Sequence, residues 1–483
     1  MNILKVIIHD DFYAIDNHPA IITHQNIIPY NELEKKVLLT ATYLASIGIK
    51  ENTKAAILSR NNPEYVVYLL ALWSLNACAV PLNIKLSDTE LTDIINFSDA
   101  EFLFYNEKEK RNLSVAIPCE AFIKSLPESG PFEFSEINPD CISVIIFTSG
   151  VSGKPKGAMH SLNDFLNSAD NSQDLLSQSQ ADKWLASLPF YHIGGLSIIT
   201  RTFRFGSSLI IPESLKHTDL RDSLDNQKPT LVSLVSTQLK RLLETDWKPG
   251  KELKNLLLGG GFANEELIKE AVSIGCKISN VYGSTETSAL VTANSPSNVS
   301  RKPLSVGKPL GENKIFIEND VLKLSQYGLS GEVLIEGNSL FHGYYKDQYA
   351  ASKKLINGKY HTGDIGYIDK DGDLFIQARR TDLIITGGEN VNPIEVELFL
   401  NAIPGIKESC VFALPDKEWG QVVAAALVMN RKISVDTIIE FMRGKTAGFK
   451  VPKRFFPVEK LPRTSLGKIM REKVKEEIEI LLS

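Results

Sequence analysis

The stretch Ile145–His160, IIFTSGVSGKPKGAMH, governs the reading of the whole chain. The apolar run Cys141–Phe147 predicts a buried strand. It feeds into Thr148-Ser149-Gly150-Val151-Ser152-Gly153-Lys154-Pro155-Lys156-Gly157. Glycines let a backbone reach φ > 0 and approach a ligand closely. Successive N–H groups in such a turn form a concavity suited to anions. Hydroxyls add donors and lysines add positive charge, so the loop suits a polyphosphate. It is not a Walker A loop, which has four residues between Gly and Gly-Lys and then Ser or Thr. Here Gly150 and Gly153 stand two residues apart and Pro155 follows Lys154. Taken alone, a bare SGxSGK reads equally well as a surface turn.

The 483 residues suggest two or more domains on a prior of ~150 residues each. Hydrophobic residues make up 43% and charged residues 23%, so a sizeable core can form. A net charge of −5 argues against a general nucleic-acid binder. The five cysteines, Cys78, Cys119, Cys141, Cys276 and Cys410, are scattered without a CxxC. That fits free thiols in a reducing, cytoplasmic setting rather than a disulfide framework or a zinc site. The N-terminal MNILKVIIHDDF lacks the basic region and long apolar run of a signal peptide. Tyr65–Leu82 is the one membrane-like stretch, and Ser74, Asn76 and Pro81 interrupt it. It predicts a buried helix followed by a core strand rather than a ~20-residue span.

Along the chain, AIITHQNIIPY suggests a hairpin within residues 1–30. Helices are expected at Asn31–Ile47, Asn61–Ser74 and Ser87–Ser98, with strands at Lys54–Leu58, Ala79–Leu82 and Phe102–Tyr105. After the loop, Ser161–Ser179 reads as a helix, Lys183–Leu188 as a strand and Leu196–Phe203 as a helix. Further alternation leads through strand Asn255–Leu258 to Gly259-Gly260-Gly261, whose glycines permit close approach to a flat base. Such alternation predicts a parallel, doubly wound sheet. From Lys314 the pattern turns β-rich, and Asp371-Gly372 marks a hairpin. The last hundred residues read as a small α+β domain. The fold class is therefore α/β: a large N-terminal domain with doubly wound sheets and a β-rich subdomain, residues 1–379, and a small α+β C-terminal domain, residues 380–483.

Four more strings follow the loop in order: YGSTET (282–287), GDIGYIDKDGDLFI (363–376), RTDLIITGGENVNPIEVE (380–397) and LPRTSLGK (461–468). Each alone reads as structure: a turn with an acid, an acidic hairpin, a strand–turn–helix, a basic loop. With the phosphate loop, the ordered set resembles the core motifs of the adenylate-forming superfamily: acyl-CoA synthetases, adenylation domains of peptide synthetases and luciferases. The resemblance spans essentially the whole chain.

It implies ATP, CoA and Mg²⁺ as cofactors and assigns roles position by position. Thr148, Ser149, Gly150, Ser152, Gly153, Lys154 and Lys156 would hold the β- and γ-phosphates. Gly259, Gly260, Gly261 and Tyr282 would flank adenine. Thr285 would contact the α-phosphate and Glu286 would bind Mg²⁺. Asp364 and Arg379 would grip the ribose hydroxyls. Lys468 would bridge the α-phosphate and the substrate carboxylate, making Lys468, Thr285 and Glu286 the catalytic set. Thr381 matches the hinge of the small domain, and Gly387 and Gly388 would line the CoA channel. A carboxylate attacking an α-phosphate brings two anions together, and a metal ion and a lysine can neutralise that charge. The chain departs from relatives at Val151, commonly Thr or Ser, and at Ala378, often Asp or Gly.

Within the superfamily, strings such as KWLASLPFYHIGGLSIITR (183–201), LLLGGGFA (256–263) and DKEWGQV (416–422) resemble the o-succinylbenzoate–CoA ligases of menaquinone biosynthesis. The implied substrate is a benzoate carrying a succinyl chain. Its ring carboxylate needs a cationic or multi-donor partner if buried. Arg201 is the candidate, set against a surface arginine near Arg204. His192 would line the acyl pocket, set against a packed core histidine. The partners are thus a small carboxylic acid, ATP and CoA, with no nucleic acid and no membrane span, and a homo-oligomer left open. The alternatives are another aryl- or fatty-acid–CoA ligase, a carrier-protein-loading adenylation enzyme, or a non-catalytic scaffold of the same fold.

Overall fold

The structure is a computed structural model that describes residues 2–9, 15–122, 135–148, 156–261, 264–319, 327–379, 384–386, 389–416, 419–443, 445–446, 448–464 and 467–482. The chain divides into two compact units: residues 1–314 with 335–360, and residues 315–334 with 361–483. The profile of secondary structure follows the expected alternation, with two sheets in the first unit.

One sheet of the first unit has six strands. Cys119–Ala121, Phe102–Tyr105, Lys54–Leu58, Cys78–Leu82 and Ile142–Thr148 run parallel, and Lys156–Ser161 closes the edge antiparallel. The other has nine strands, with a parallel centre from Ile278–Tyr282 to Pro19–Ile22 and antiparallel strands at both edges. Parallel strands buried on both faces read as continuous apolar runs, and Cys78–Leu82 is buried at all five positions.

The helix Pro63–Ser74 explains the membrane-like stretch. Asn62 caps it through its side chain, which accepts from the Tyr65 N–H at 2.7 Å, and every residue from Tyr65 to Ser74 is buried. A helix apolar all round belongs in a core or a bilayer. This one lies in a core shared with the helices Tyr30–Ser46, Leu162–Asn171 and Ile193–Arg204. No helix among the described residues is long and apolar enough to cross a membrane.

Three local readings need correction. The sequence suggests loop through His160, yet Lys156–Ser161 is a strand that pairs along its length with Ile142–Thr148, Thr148 facing Lys156. The expected helix Ser161–Ser179 is really Leu162–Asn171 followed by a single turn, Gln173–Leu176, which ends on left-handed Ser177. The helix expected at Leu196 begins at Ile193; Gly194 and Gly195 in its first turn are weak helix formers and so carry little helical signal in the sequence. The hairpin near the N-terminus is Pro19–Ile22 with Ile27–Pro29, preceded by a short helix, Ile3–Ile7.

Lys359–Ile368, which enters the second unit at His361, and Leu374–Arg379 form the expected hairpin across Asp371-Gly372. A further sheet pairs Ile406–Asp416 with Gly420–Met429. Beyond a register shift at Ile406–Glu408, its residues alternate between two faces. Val411, Val423, Ala425 and Leu427 face the helices Pro393–Asn401 and Val435–Arg443. Cys410, Phe412, Val422 and Ala424 face the terminal helix Arg471–Leu482. Successive strand residues point to opposite faces, so one pair of strands serves two small cores.

Phe165 is fully buried in the first unit's core, its ring 6.4 Å from Trp73 and 5.4 Å from His160. Phe165→Ala is expected to cost about 3–5 kcal/mol. Leu38→Ala, on a side chain 51% exposed, is expected to stay within about 0.5 kcal/mol. Urea unfolding of both variants checks the pair.

Candidate nucleotide and acid site

The first unit brings several expected residues into order. Thr148 ends one strand of the hairpin and Lys156 begins the other. The Thr148 hydroxyl donates to the Lys156 carbonyl at 3.4 Å. Ser149, Gly150, Val151, Ser152, Gly153 and Lys154 lie outside the described residues.

Gly259–Gly261 follows strand Asn255–Leu258, and the Gly259 N–H donates to the Leu234 carbonyl at 3.1 Å. Gly260 has φ +74°, a conformation that side chains rarely adopt. Tyr282 ends the adjacent parallel strand, so the glycines and the tyrosine sit at the carboxyl ends of neighbouring strands. Ligands of open α/β sheets bind at such ends.

Thr285–Thr287 forms one tight turn. The Ser284 N–H donates to the Thr287 hydroxyl at 2.9 Å, and the Ala289 N–H donates to the Ser284 carbonyl at 3.2 Å. Ser288 and Ala289 follow at φ 52° and 86°. Two successive left-handed non-glycine residues are costly and persist where surroundings impose them. The close return also fixes the glycine: a Cβ on Gly283 would lie 1.5 Å from the Ala289 carbonyl oxygen. Glu286 is half-buried, and its Oε1 accepts from the Tyr344 hydroxyl at 2.7 Å. Its carboxylate is the hard oxygen donor that magnesium prefers.

Arg201 is 3% exposed, which overturns the surface reading. Its guanidinium donates to the Ser197 hydroxyl at 2.9 Å and the Ser168 hydroxyl at 3.0 Å. Its Nε has no hydrogen-bond partner among the described residues, and no carboxylate there pairs with it. Burial pushes its pKa down to about 10, so the group stays charged at neutral pH. Its neighbour Arg204 differs: it makes a two-pronged pair with Asp170 at 2.8 and 2.7 Å.

From Arg201 a polar chain leads inward. The Ser168 hydroxyl donates to the Ser288 carbonyl at 2.8 Å, and the Ser288 hydroxyl meets His160 Nδ1 at 3.2 Å. Asp164 Oδ2 lies 3.5 Å from His160 Nδ1 and 3.3 Å from His342 Nε2. Burial raises the Asp164 pKa, but bonds from His160, His342 and the Ser161 N–H outweigh it and hold the carboxyl below its usual range. Sequence reading missed Ser168, Asp164 and His342, none of which lies in a recognised string.

His192 occupies the N-cap position of the helix Ile193–Arg204 without a side-chain cap bond, and its ring lies 4.8 Å from that of Tyr191. Burial, helped by the charge of Lys85, lowers its pKa to about 4. It is therefore neutral at pH 7.

The second unit holds the other expected residues. Asp364 is buried and pairs in register with Arg379 across the hairpin. Its N–H donates to the Thr362 hydroxyl at 2.9 Å, and that hydroxyl donates to the Val333 carbonyl at 2.7 Å. Lys468 is exposed on a tight loop, where the Thr464 N–H donates to its carbonyl at 2.8 Å. Thr381, Gly387 and Gly388 lie outside the described residues.

Strand-end glycines, an acid-bearing turn and a hairpin running from Thr148 to Lys156 suit a nucleotide-binding enzyme, and comparison with known proteins agrees. The profile described as AMP-binding enzyme matches residues 13–345, and that described as AMP-binding enzyme C-terminal domain matches 395–468. The chain belongs to the AMP-binding enzyme family. It is 32% identical to the 2-succinylbenzoate–CoA ligase of Bacillus mycoides (strain KBAB4), with 97% of each chain covered. It is also 32% identical to that of Bacillus subtilis (strain 168), covering 95% of this chain and 94% of that one. Among solved structures, the o-succinylbenzoate CoA synthetase of Bacillus subtilis in complex with the acyl-adenylate intermediate OSB-AMP matches at TM-score 0.90, 30% identity and 98% of both chains. ATP-bound MatB from Rhodopseudomonas palustris has the same fold, at TM-score 0.90 and 24% identity.

The His192 shift gives a pH prediction. A histidine near 6.5 when unfolded and about 4 when folded binds more protons in the unfolded state. Its contribution is present above pH 6.5 and lost as pH falls from 6.5 to 4. The loss should be on the order of 3 kcal/mol. Urea midpoints are expected to fall more steeply across that window for the native protein than for His192→Gln.

Proposed function

We propose that this protein is an ATP-dependent acid–CoA ligase that converts 2-succinylbenzoate, ATP and CoA into 2-succinylbenzoyl-CoA, AMP and diphosphate, in the cytoplasm, for menaquinone biosynthesis. The Arg201 guanidinium carries the reading. A buried cation without a carboxylate, and with an N–H unsatisfied among the described residues, is costly. An acid substrate with a second carboxylate would supply the missing partner. The names of the full-length relatives support the same substrate.

In this reading the aliphatic carboxylate attacks the α-phosphorus of ATP and diphosphate leaves. The thiol of CoA then attacks the acyl carbon and AMP leaves. Thr148, Lys156 and the loop between them hold the β- and γ-phosphates. Gly259–Gly261 and Tyr282 take the adenine, and Asp364 and Arg379 the ribose. Thr285 meets the α-phosphate. Glu286 would hold a magnesium ion, which when bound supplies charge neutralisation at the phosphates. Lys468 bridges the α-phosphate and the attacking carboxylate. Neutral His192 lines the acyl pocket without adding charge. Residues 380–483 turn about Thr381 between the two half-reactions, and Gly387-Gly388 then lines the path of the thiol.

A pyrophosphate-release panel tests the substrate, setting 2-succinylbenzoate against benzoate, 4-substituted benzoates and medium-chain fatty acids. Release with 2-succinylbenzoate alone is expected, and equal release with benzoate would overturn the reading. Arg201→Ala should raise KM for 2-succinylbenzoate roughly 10–100-fold and leave KM for ATP nearly unchanged. Separately, Lys468→Ala should lower adenylate formation roughly 10²–10³-fold while thioester formation from preformed adenylate persists. Single-turnover assays of the two half-reactions check that split.

A further inference from the structure

The segment Phe341–Tyr345, FHGYY, belongs to none of the strings from which the nucleotide site was read, yet it touches two of them. It runs antiparallel along Lys156–Ser161, on the strand that begins where the phosphate loop ends. The Met159 N–H donates to the Gly343 carbonyl at 3.0 Å, the His342 N–H to the Met159 carbonyl at 2.9 Å and the Tyr345 N–H to the Gly157 carbonyl at 2.8 Å. The same segment grips the acid-bearing turn. The Phe341 N–H donates to the Glu286 carbonyl at 2.9 Å, and the Tyr344 hydroxyl donates to Glu286 Oε1 at 2.7 Å.

Tyr344 is itself fixed. It is buried, its ring 4.9 Å from Phe341, which in turn lies 5.6 Å from Tyr360. The Tyr344 ring also carries the Lys156 ammonium, 5.2 Å from its centroid. One side chain thus meets a carboxylate suited to magnesium and a lysine suited to phosphate. A glutamate loses about 1.5–2 kcal/mol of rotamer freedom when fixed. A phenol bond that fixes it beforehand removes that cost from metal binding. It engages one of two carboxylate oxygens, and each oxygen accepts more than one bond. The ring face attracts an ammonium and holds it beside the acid.

We propose that Tyr344 is a positioning residue of the nucleotide site: its hydroxyl orients Glu286 for a divalent cation, and its ring docks Lys156 for the phosphates. This rests on the roles given above to Glu286 and Lys156. The test is calorimetric titration of the full-length protein with ATP, acid absent, once in excess EDTA and once in excess magnesium. The ratio of the two Kd values measures how far the metal tightens nucleotide binding. Tyr344→Phe keeps the ring, so it should shrink that ratio roughly tenfold and leave the EDTA value within about twofold. Tyr344→Leu should also raise the EDTA value several-fold, because Lys156 loses its platform. Neither should change KM for the acid. Glu286→Gln should abolish the tightening by magnesium, and adding Tyr344→Phe to it should do nothing more. An unaltered ratio in Tyr344→Phe, with Glu286→Gln inactive toward the metal, overturns the proposal alone. A ratio that survives Glu286→Gln overturns the metal assignment itself. Equal weakening of ATP in both media and of the acid would mark Tyr344 as merely structural.

Discussion

An edge strand leaves a row of backbone donors and acceptors that must find partners, and Lys156–Ser161 finds them on both sides. Ile142–Thr148 pairs with one edge, and Phe341–Tyr345 with the other. That double pairing fixes where the chain re-enters the sheet at Lys156. It also ties the loop's exit to the turn carrying Glu286, since Phe341 and Tyr344 bond that residue's carbonyl and carboxylate. The left-handed pair Ser288-Ala289 brings the chain back so tightly that only glycine fits at 283. The turn's place is set by backbone, through Phe341 and the left-handed return, and the Tyr344 hydroxyl adds a hold on the carboxylate itself.

Charge is handled differently around the helix Ile193–Arg204. Arg204 is neutralised by Asp170 at the core's margin. Three residues earlier on the same helix, Arg201 is buried against two serine hydroxyls. Hydroxyls satisfy N–H groups without cancelling charge, so the positive potential survives inside the protein, where the low dielectric lets it act strongly. Asp164 is the nearest acid in the polar chain, but it is occupied by His160 and His342. Among the described residues, the one carboxylate linked to that cation through the chain is engaged elsewhere.

Much of this was legible in the sequence. The alternation of strands and helices, the buried Pro63–Ser74 helix and the hairpin at Asp371-Gly372 follow from periodicity and turn chemistry. The helix expected at Ser87–Ser98 is Asp88–Phe97, capped in the structure by the Ser87–Glu90 box. What escaped had weak local signals. Lys156-Gly157 reads as loop because strand propensity is low there, and only pairing with Thr148 and Phe147 makes it a strand. Arg201 could not be told from a surface arginine, because its burial is decided by Ser168 on another helix. Tyr344 escaped because its bond to Glu286 spans 58 positions in sequence. Candidate residues in ordered strings were visible. The groups that hold them were not, since those contacts arise only when distant segments meet.

The first unit is discontinuous: residues 335–360 return to it after an excursion of the chain. During synthesis, the strand Lys156–Ser161 therefore exists for some 180 residues before its second partner emerges. At ~5–20 residues per second, that is an interval of roughly 10–40 s. Throughout it, one edge of the six-stranded sheet is open to any other extended chain, and once the turn at Glu286 has been made it too lacks its brace. A ribosome stalled between residues 161 and 340 would thus display an almost complete sheet with an unguarded edge, the state in which this fold is most exposed to aggregation or to a chaperone.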